Sequence, residues 1–403
     1  MKKLLYLVHR IPYPPNKGDK IRSFHFLEAL AQEYRIYLGT FIDDPDDRQY
    51  IDELKGYCQD SYCVDLQAKT QKIKSLQGLL RGEALSLPYY RNTALQSWVD
   101  KTIREQNIER VLIFSSPMAQ YVEKYPELHL VADFVDVDSD KWRQYALNKS
   151  WPASWIYRRE AETLLAYEKS VAIRAKTTLL VSEQEAQLFK TLAPELAEKI
   201  DYVNNGVDTV KFDPELPYDR PFAADQLSIV FTGAMDYWAN VDAVVWFAEQ
   251  VLPFVKRKNN SGSRLYFYIV GSKPAKQVLQ LAQNDSDVIV TGRVEDVRPY
   301  IAHAQVIVAP LRIARGIQNK VLEAMAMAKP IVATSAAMEG IPAPADLPCA
   351  IADRPEDFAD RVWEILQQPG ETAAANRNYV QSDFSWGQNG RKLCGFFKIA
   401  GEE

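Results

Sequence analysis

The residues best suited to chemistry lie in the stretch Arg315 to Thr334, RGIQNKVLEAMAMAKPIVAT. An apolar run ends at Pro310, a loop with Gly316 follows, and a helical pattern begins near Gln318. Free N–H groups at Gly316, Ile317, Gln318 and Asn319, with the positive end of the helix dipole, would form an anion pocket suited to a diphosphate. Glu323, within the first two turns, could accept hydrogen bonds from the vicinal hydroxyls of a ribose. The same stretch also fits an ordinary strand–helix–strand unit with a solvated glutamate.

A second candidate is the loop His9 to Lys20, rich in proline, glycine and charge. His9 ends an apolar strand, and Asn16, Lys17, Gly18 and Asp19 could hold an acceptor or a donor phosphate. A capped loop before a helix is the plainer alternative. Asp136, Asp138 and Asp140 follow another apolar strand. Asp-x-Asp spacing can hold a divalent metal in a one-sheet transferase fold; otherwise Asp138 or Ser139 caps a helix. His25, His129 and His303 read as structural, and no two histidines have metal-ligand spacing. The sequence shows no nucleophilic triad, Walker loop or G-x-G-x-x-G pattern.

The elements around these residues alternate short β-branched runs with amphipathic stretches, as parallel α/β sheets require. Strands are expected at 4–8, 35–41, 62–65, 110–114, 130–135 and 178–181, then at 227–232, 265–270, 288–291, 306–309 and 331–333. Helices are expected between them, including 21–33, 93–106, 155–174, 240–256 and 318–328. A Pro- and Asp-rich connection, PELPYDRPFAADQ, reads as an interdomain linker. The 403 residues therefore divide into two doubly wound Rossmann-like domains, 1–205 and 206–375, facing a central cleft. Residues 376–403 should form a helix docked on the first domain.

The net charge of −5 argues against nucleic acid as the main partner. All of it belongs to the second half, since the first 200 residues hold 28 basic and 28 acidic side chains. Four cysteines without zinc-like spacing suit a reducing, cytoplasmic setting. No apolar run approaches the ~18 residues needed to cross a membrane. The segment Lys69–Arg91 is basic and amphipathic, with Ile73, Leu76, Leu79 and Leu80 at helical spacing. It fits either a face lying on an anionic membrane or an ordinary core stripe.

The stretch from Arg315 resembles the donor-site signature of family-4 retaining glycosyltransferases, which have the GT-B fold. VNNGVD from Val203, FTGAMDYWANVDAVVWF from Phe231 and VTGRVEDVRPYIAHAQVIVAPL from Val290 match the same family in order. The first half is similar to sugar transferases of exosortase-associated exopolysaccharide clusters, through HRIPYPPNKGDKIRSFHFL, LGTFIDDPDD and ADFVDVDSDKW. The resemblance implies an acceptor-binding first domain and a second domain that binds a nucleotide-diphosphate sugar. It implies retaining transfer of a hexose, without metal or cofactor, to a glycan or polyprenyl-linked acceptor, with Asp136 on the acceptor side. Two departures stand out. The family's first glutamate of the helix motif is Arg315 here, and its diphosphate-gripping Arg and Lys are missing from Gly233–Asn240. Arg315, Lys320 and Arg293 are the cations left to stabilise the leaving group. A nucleotide-sugar 2-epimerase or a non-catalytic sugar-nucleotide binding protein are the alternatives.

Overall fold

The computed structural model describes every residue except 16–17, 148, 224, 260–261, 315, 343, 345–346, 369–372 and 399–403. Asn16, Lys17 and Arg315, named above, lie outside the described residues. The chain divides into two units: Met1–Asn204 with a C-terminal segment from Asn389, and Asn205–Gln388. The second unit thus runs beyond residue 375. Each unit has its own hydrophobic core.

The first unit is built on β1 (Lys2–Val8), β2 (Tyr34–Ile42), β3 (Asp60–Asp65), β4 (Arg110–Phe114), β5 (His129–Val135), β6 (Thr177–Leu180) and β7 (Ile200–Tyr202). All are parallel, in the order β3-β2-β1-β4-β5-β6-β7. Leu4–Val8 and Val111–Phe114 are wholly buried, because helices cover both faces of a parallel sheet and its central strands must be apolar throughout. The helices are α1 (Gly18–Glu33), α2 (Ala68–Ser75), α3 (Gln77–Arg81), α4 (Ser86–Tyr89), α5 (Thr93–Gln106), α6 (Asp138–Leu147), α7 (Ala153–Arg174) and α8 (Glu183–Leu192). Asn92 caps α5 by accepting from Ala94 N and Leu95 N.

Two charges cross this core. Arg22 of α1 donates from Nε and Nη2 to the Asp133 carboxylate on β5, at 2.8 and 3.1 Å, and from Nη1 to the Val203 carbonyl at 2.6 Å. Both side chains are fully buried. Asp133 Oδ1 also accepts from Val135 N at 3.1 Å. The C-terminal segment joins the same unit. Arg110 Nε donates to the Phe397 carbonyl, His129 Nε2 lies 2.8 Å from the Phe396 carbonyl oxygen, and Asn389 Nδ2 donates to the Asn204 carbonyl.

The second sheet holds β8 (Gln226–Thr232), β9 (Arg264–Val270), β10 (Val288–Gly292), β11 (Val306–Ala309), β12 (Ile331–Ala333) and β13 (Cys349–Ile351). It is also parallel, in the order β10-β9-β8-β11-β12-β13. Its helices begin with α9 (Trp238–Trp246) and α10 (Leu252–Lys258), joined by a π-turn over Phe247–Val251. Pro253 has no N–H to give, and the wider turn before it absorbs the missing bond. Then come α11 (Lys276–Asn284), α12 (Arg298–His303), α13 (Asn319–Ala326), α14 (Ser335–Met338), α15 (Pro355–Leu366) and α16 (Ala374–Asp383); α17 (Trp386–Gly395) follows. Strand order reverses between β1 and β4 and again between β8 and β11. Ligands of doubly wound sheets bind beyond the carboxyl ends of strands at such reversals.

Candidate functional site

In the first unit a pocket of about 320 Å³ opens beyond the ends of β1, β4 and β5. His9, directly after β1, stacks on Phe114 at 5.8 Å and meets the edge of Tyr90 at 5.9 Å. Its Nε2 lies 3.5 Å from Asp19 Oδ2, while Nδ1 is buried without a partner. Arg10 Nη1 donates to the same Asp19 oxygen at 2.6 Å. Burial opposes the Asp19 charge, but the bond to His9 and the Arg10 guanidinium hold its carboxyl well below the usual range.

Gly18 and Asp19 are not loop residues, as read from the sequence, but the first turn of α1. Lys20, read as the polar end of that loop, is buried and donates to Asp47 at 2.6 Å. A helix start there lets the apolar residues from Ile21 onward face the core.

Asp136, placed by the sequence at a strand end, does line the pocket. Lys141 Nζ donates to Asp136 at 2.6 Å and to Asp138 at 3.1 Å. Burial works against the Lys141 charge, yet Asp138 and Asp136 hold the ammonium above its ordinary range. The Asp-x-Asp pair is therefore neutralised by a lysine of its own helix. Ser139 donates its hydroxyl to the buried Glu168 at 2.5 Å, while Val137 N donates to Glu185 at 2.9 Å. The first turn of α6 thus finds its carboxylates on α7 and α8. Burial pushes the Glu168 carboxyl up to about 8.

Val135 ends β5 with φ of 70° and Ser115 directly follows β4 with φ of 76°, and both line this pocket. Left-handed backbone at a non-glycine residue costs about 1–3 kcal/mol and concentrates where a site needs a side chain re-aimed. Here the Asp133 carboxylate holds the Val135 amide, so the kink that presents Asp136 hangs on the buried Arg22–Asp133 pair. No residue type in the sequence signals either strained position.

In the second unit the matching reversal lies beyond β8 and β11. Gly233 follows β8, and a Cβ on Gly271 would lie 1.7 Å from its carbonyl oxygen. Asn240 of α9 donates Nδ2 to the Ala234 carbonyl at 2.9 Å and accepts from Lys320 Nζ at 3.1 Å. The Lys320 ammonium also sits 5.4 Å from the centre of the Phe231 ring. Asn240 thus fastens the glycine loop to the first turn of α13. Nothing local in the sequence marks Phe231 or Asn240 for this role, because Asn240 and Lys320 are 80 positions apart.

Gln318 precedes α13 and forms no side-chain cap, which leaves first-turn amides for a ligand. A Cβ on Gly340 would lie 2.6 Å from the Gly316 carbonyl carbon, so these two loops press together. Ile317 packs partly on the core, and Asn319 Oδ1 is buried without a partner. Glu323 is half-buried, and its carboxylate takes no hydrogen bond from a described residue. Burial pushes that carboxyl up to about 7, with Lys320 pulling the other way; burial likewise lowers the Lys320 ammonium to about 8. The two charges lie one turn apart on α13. Arg293 stands exposed after β10, two strands or roughly 10 Å from β8.

Residues 226–368 match the family described as glycosyl transferases group 1. No curated protein matches the chain as a relative. Solved structures match throughout. Sucrose-phosphate synthase from Thermosynechococcus elongatus superposes with a TM-score of 0.69 at 15% identity, covering 98% of each chain. A glycosyltransferase from Rickettsia africae gives 0.66 at 15% identity and 100% of each. Anabaena HepE in complex with UDP-glucose gives 0.63 at 13% identity, covering 97% of this chain and 98% of that one. The fold is GT-B, with two parallel-sheet domains of seven and six strands. The group 1 match lies within the six-stranded unit.

Proposed function

We propose that this chain is a retaining glycosyltransferase that moves a hexose from a nucleotide-diphosphate donor to a glycan or polyprenyl-linked acceptor in exopolysaccharide synthesis. The observation that carries the donor side is the grouping of Lys320, Asn240, Glu323 and the uncapped α13 end at one strand reversal. The amides and Lys320 would meet the diphosphate, and Glu323 the ribose. Negative charge grows on the leaving diphosphate as the sugar departs, and Lys320 is placed to stabilise it. The pocket around His9 and Asp136 would take the acceptor. HepE, solved with UDP-glucose, supports the donor class.

A thermal-shift panel of UDP-, GDP-, ADP- and TDP-sugars tests this reading. A true donor at 100 times its Kd should stabilise the protein by ~2.7 kcal/mol. Nucleotide release from that donor, with and without acceptor, distinguishes a transferase from an epimerase or a mere binding protein.

Glu323→Gln should weaken nucleoside diphosphate binding about tenfold or more, as loss of a charge-assisted hydrogen bond to ribose requires. The sign of the pH effect follows from the raised Glu323 carboxyl. The carboxylate forms as pH rises through about 7, so wild-type affinity should drop below that value while the variant's drop is only that of the nucleotide itself. Calorimetry on both proteins reads the difference; identical pH profiles would return Glu323 to a structural role.

Turnover should persist in EDTA, since Asp136 and Asp138 already share Lys141. Among the described residues no group of three or more His, Cys, Asp or Glu is arranged to hold a metal ion. Activity lost to the chelator and restored by Mn²⁺ would make the two aspartates ligands instead.

A further inference from the structure

The Lys69–Arg91 segment divides: Ala84 and Leu87 pack into a core with Leu164 and Leu79 is half-buried, but Ile73, Leu76 and Leu80 are 71%, 53% and 91% exposed. They are not alone. The turn between α6 and α7 exposes Leu147 and Trp151 at 76% and 80%, with Tyr145 and Trp155 more than half exposed. Arg159 of α7 joins the two clusters, donating from Nη2 to the Gly78 carbonyl at 2.8 Å. Gly78 lies between Leu76 and Leu80, and Trp155 sits one turn before Arg159 on the same helix face.

The charge around these side chains is predominantly positive. Residues 66–82 contain four basic and no acidic residues, and residues 143–159 likewise contain four and none. Lys69, Lys72, Lys74, Lys149 and Arg158 are exposed and pair with no described carboxylate; Arg81 and Arg143 have Glu83 and Asp140. Exposed Trp and Leu ringed by unpaired cations suit the headgroup layer of an anionic bilayer, where the rings enter the interface and the lysines meet lipid phosphate. Among the described residues no helix is long and apolar enough to cross a membrane, so contact would be along the surface.

We infer that α2–α3 and the α6–α7 turn form one surface that docks the first unit on an anionic lipid membrane. The inference deepens the proposed function and rests on it for one point: Tyr145 belongs both to this surface and to the His9–Asp136 pocket, so a lipid-linked acceptor could enter that pocket from the bilayer.

The full chain is sedimented with phosphatidylcholine vesicles and with vesicles containing phosphatidylglycerol. Binding should be at least about tenfold tighter to the anionic vesicles and should weaken as salt is raised. Lys72→Glu/Lys74→Glu/Lys149→Glu should weaken it more than about a hundredfold, at roughly fivefold for each cation lost. Trp151→Ala/Trp155→Ala should lower binding to both vesicle types. All these side chains are exposed, and the milder Lys→Gln set serves if charge reversal hinders folding. Equal partition of the wild type into both vesicles, or unchanged binding by the lysine variants, overturns the inference. Self-association abolished by the tryptophan pair, without vesicle binding, would assign the face to a second copy. Calorimetry with UDP, GDP, ADP and TDP on the same proteins keeps the readings apart: vesicle binding without binding of any of the four nucleotides sinks only the transferase proposal.

Discussion

Arg22→Ala is expected to destabilise the N-terminal unit by about 3–5 kcal/mol in urea denaturation. The substitution leaves the Asp133 carboxylate wholly buried with no cation, and the Val203 carbonyl without its donor. Water cannot reach either group to compensate, which is why breaking a buried pair costs far more than the pair itself contributes. Arg22→Met/Asp133→Leu should recover most of the loss, since no charge is then stranded. Turnover should not recover with it. The Val135 amide loses its acceptor in the double variant, and the strained turn that presents Asp136 loses the contact holding it. A single variant as stable as wild type would show that the pair is not what ties α1 to β5.

Lys320→Ala is expected to lower kcat by ~10²-fold or more, comparable to the loss of one preorganised donor. A cation in the first turn of a helix opposes the helix dipole, and this one is half-buried with its ammonium lowered to about 8. Both properties oppose folding and offset the lost bond to Asn240, so the variant should fold about as well as wild type. Donor affinity should change less than kcat, because leaving-group charge grows after binding. One indirect effect is separable. Lys320 helps hold the Glu323 carboxyl down, so its removal raises that carboxyl further and weakens binding near neutral pH. Raising the pH should restore binding in Lys320→Ala without restoring kcat. Wild-type kcat in this variant would move the phosphate grip elsewhere, with Arg293 the next residue to test.

Much of the scaffold could be read from residue order. The expected strands at 110–114, 306–309 and 331–333 coincide with β4, β11 and β12, because uninterrupted apolar runs flanked by polar residues have few other uses. The two strands that escaped notice, β7 and β13, have three residues each and lie at sheet edges, where burial no longer demands an apolar run. The candidate site was legible in outline through His9, Asp136, Lys320 and Glu323. Its wiring was not. Arg22 and Asp133 are 111 positions apart, and nothing local to either marks it as a core residue. Lys141 was overlooked although only five positions from Asp136, because a lysine on a helix normally reads as solvated. The Lys69–Arg91 stripe carried a helical period, but periodicity does not tell whether the facing partner is protein or lipid.

The position of the last residues in the first unit has a consequence for how the chain is made. Residues 1–204 leave the ribosome first, yet Arg110, His129 and the Asn204 carbonyl take partners from the final segment. At ~5–20 residues per second, the intervening second unit takes about 10–40 s to synthesise. Throughout that interval the nascent N-terminal unit lacks part of its own packing, and it closes only once the segment from Asn389 has emerged. Premature termination anywhere in the second unit would therefore release an unfinished first unit as well.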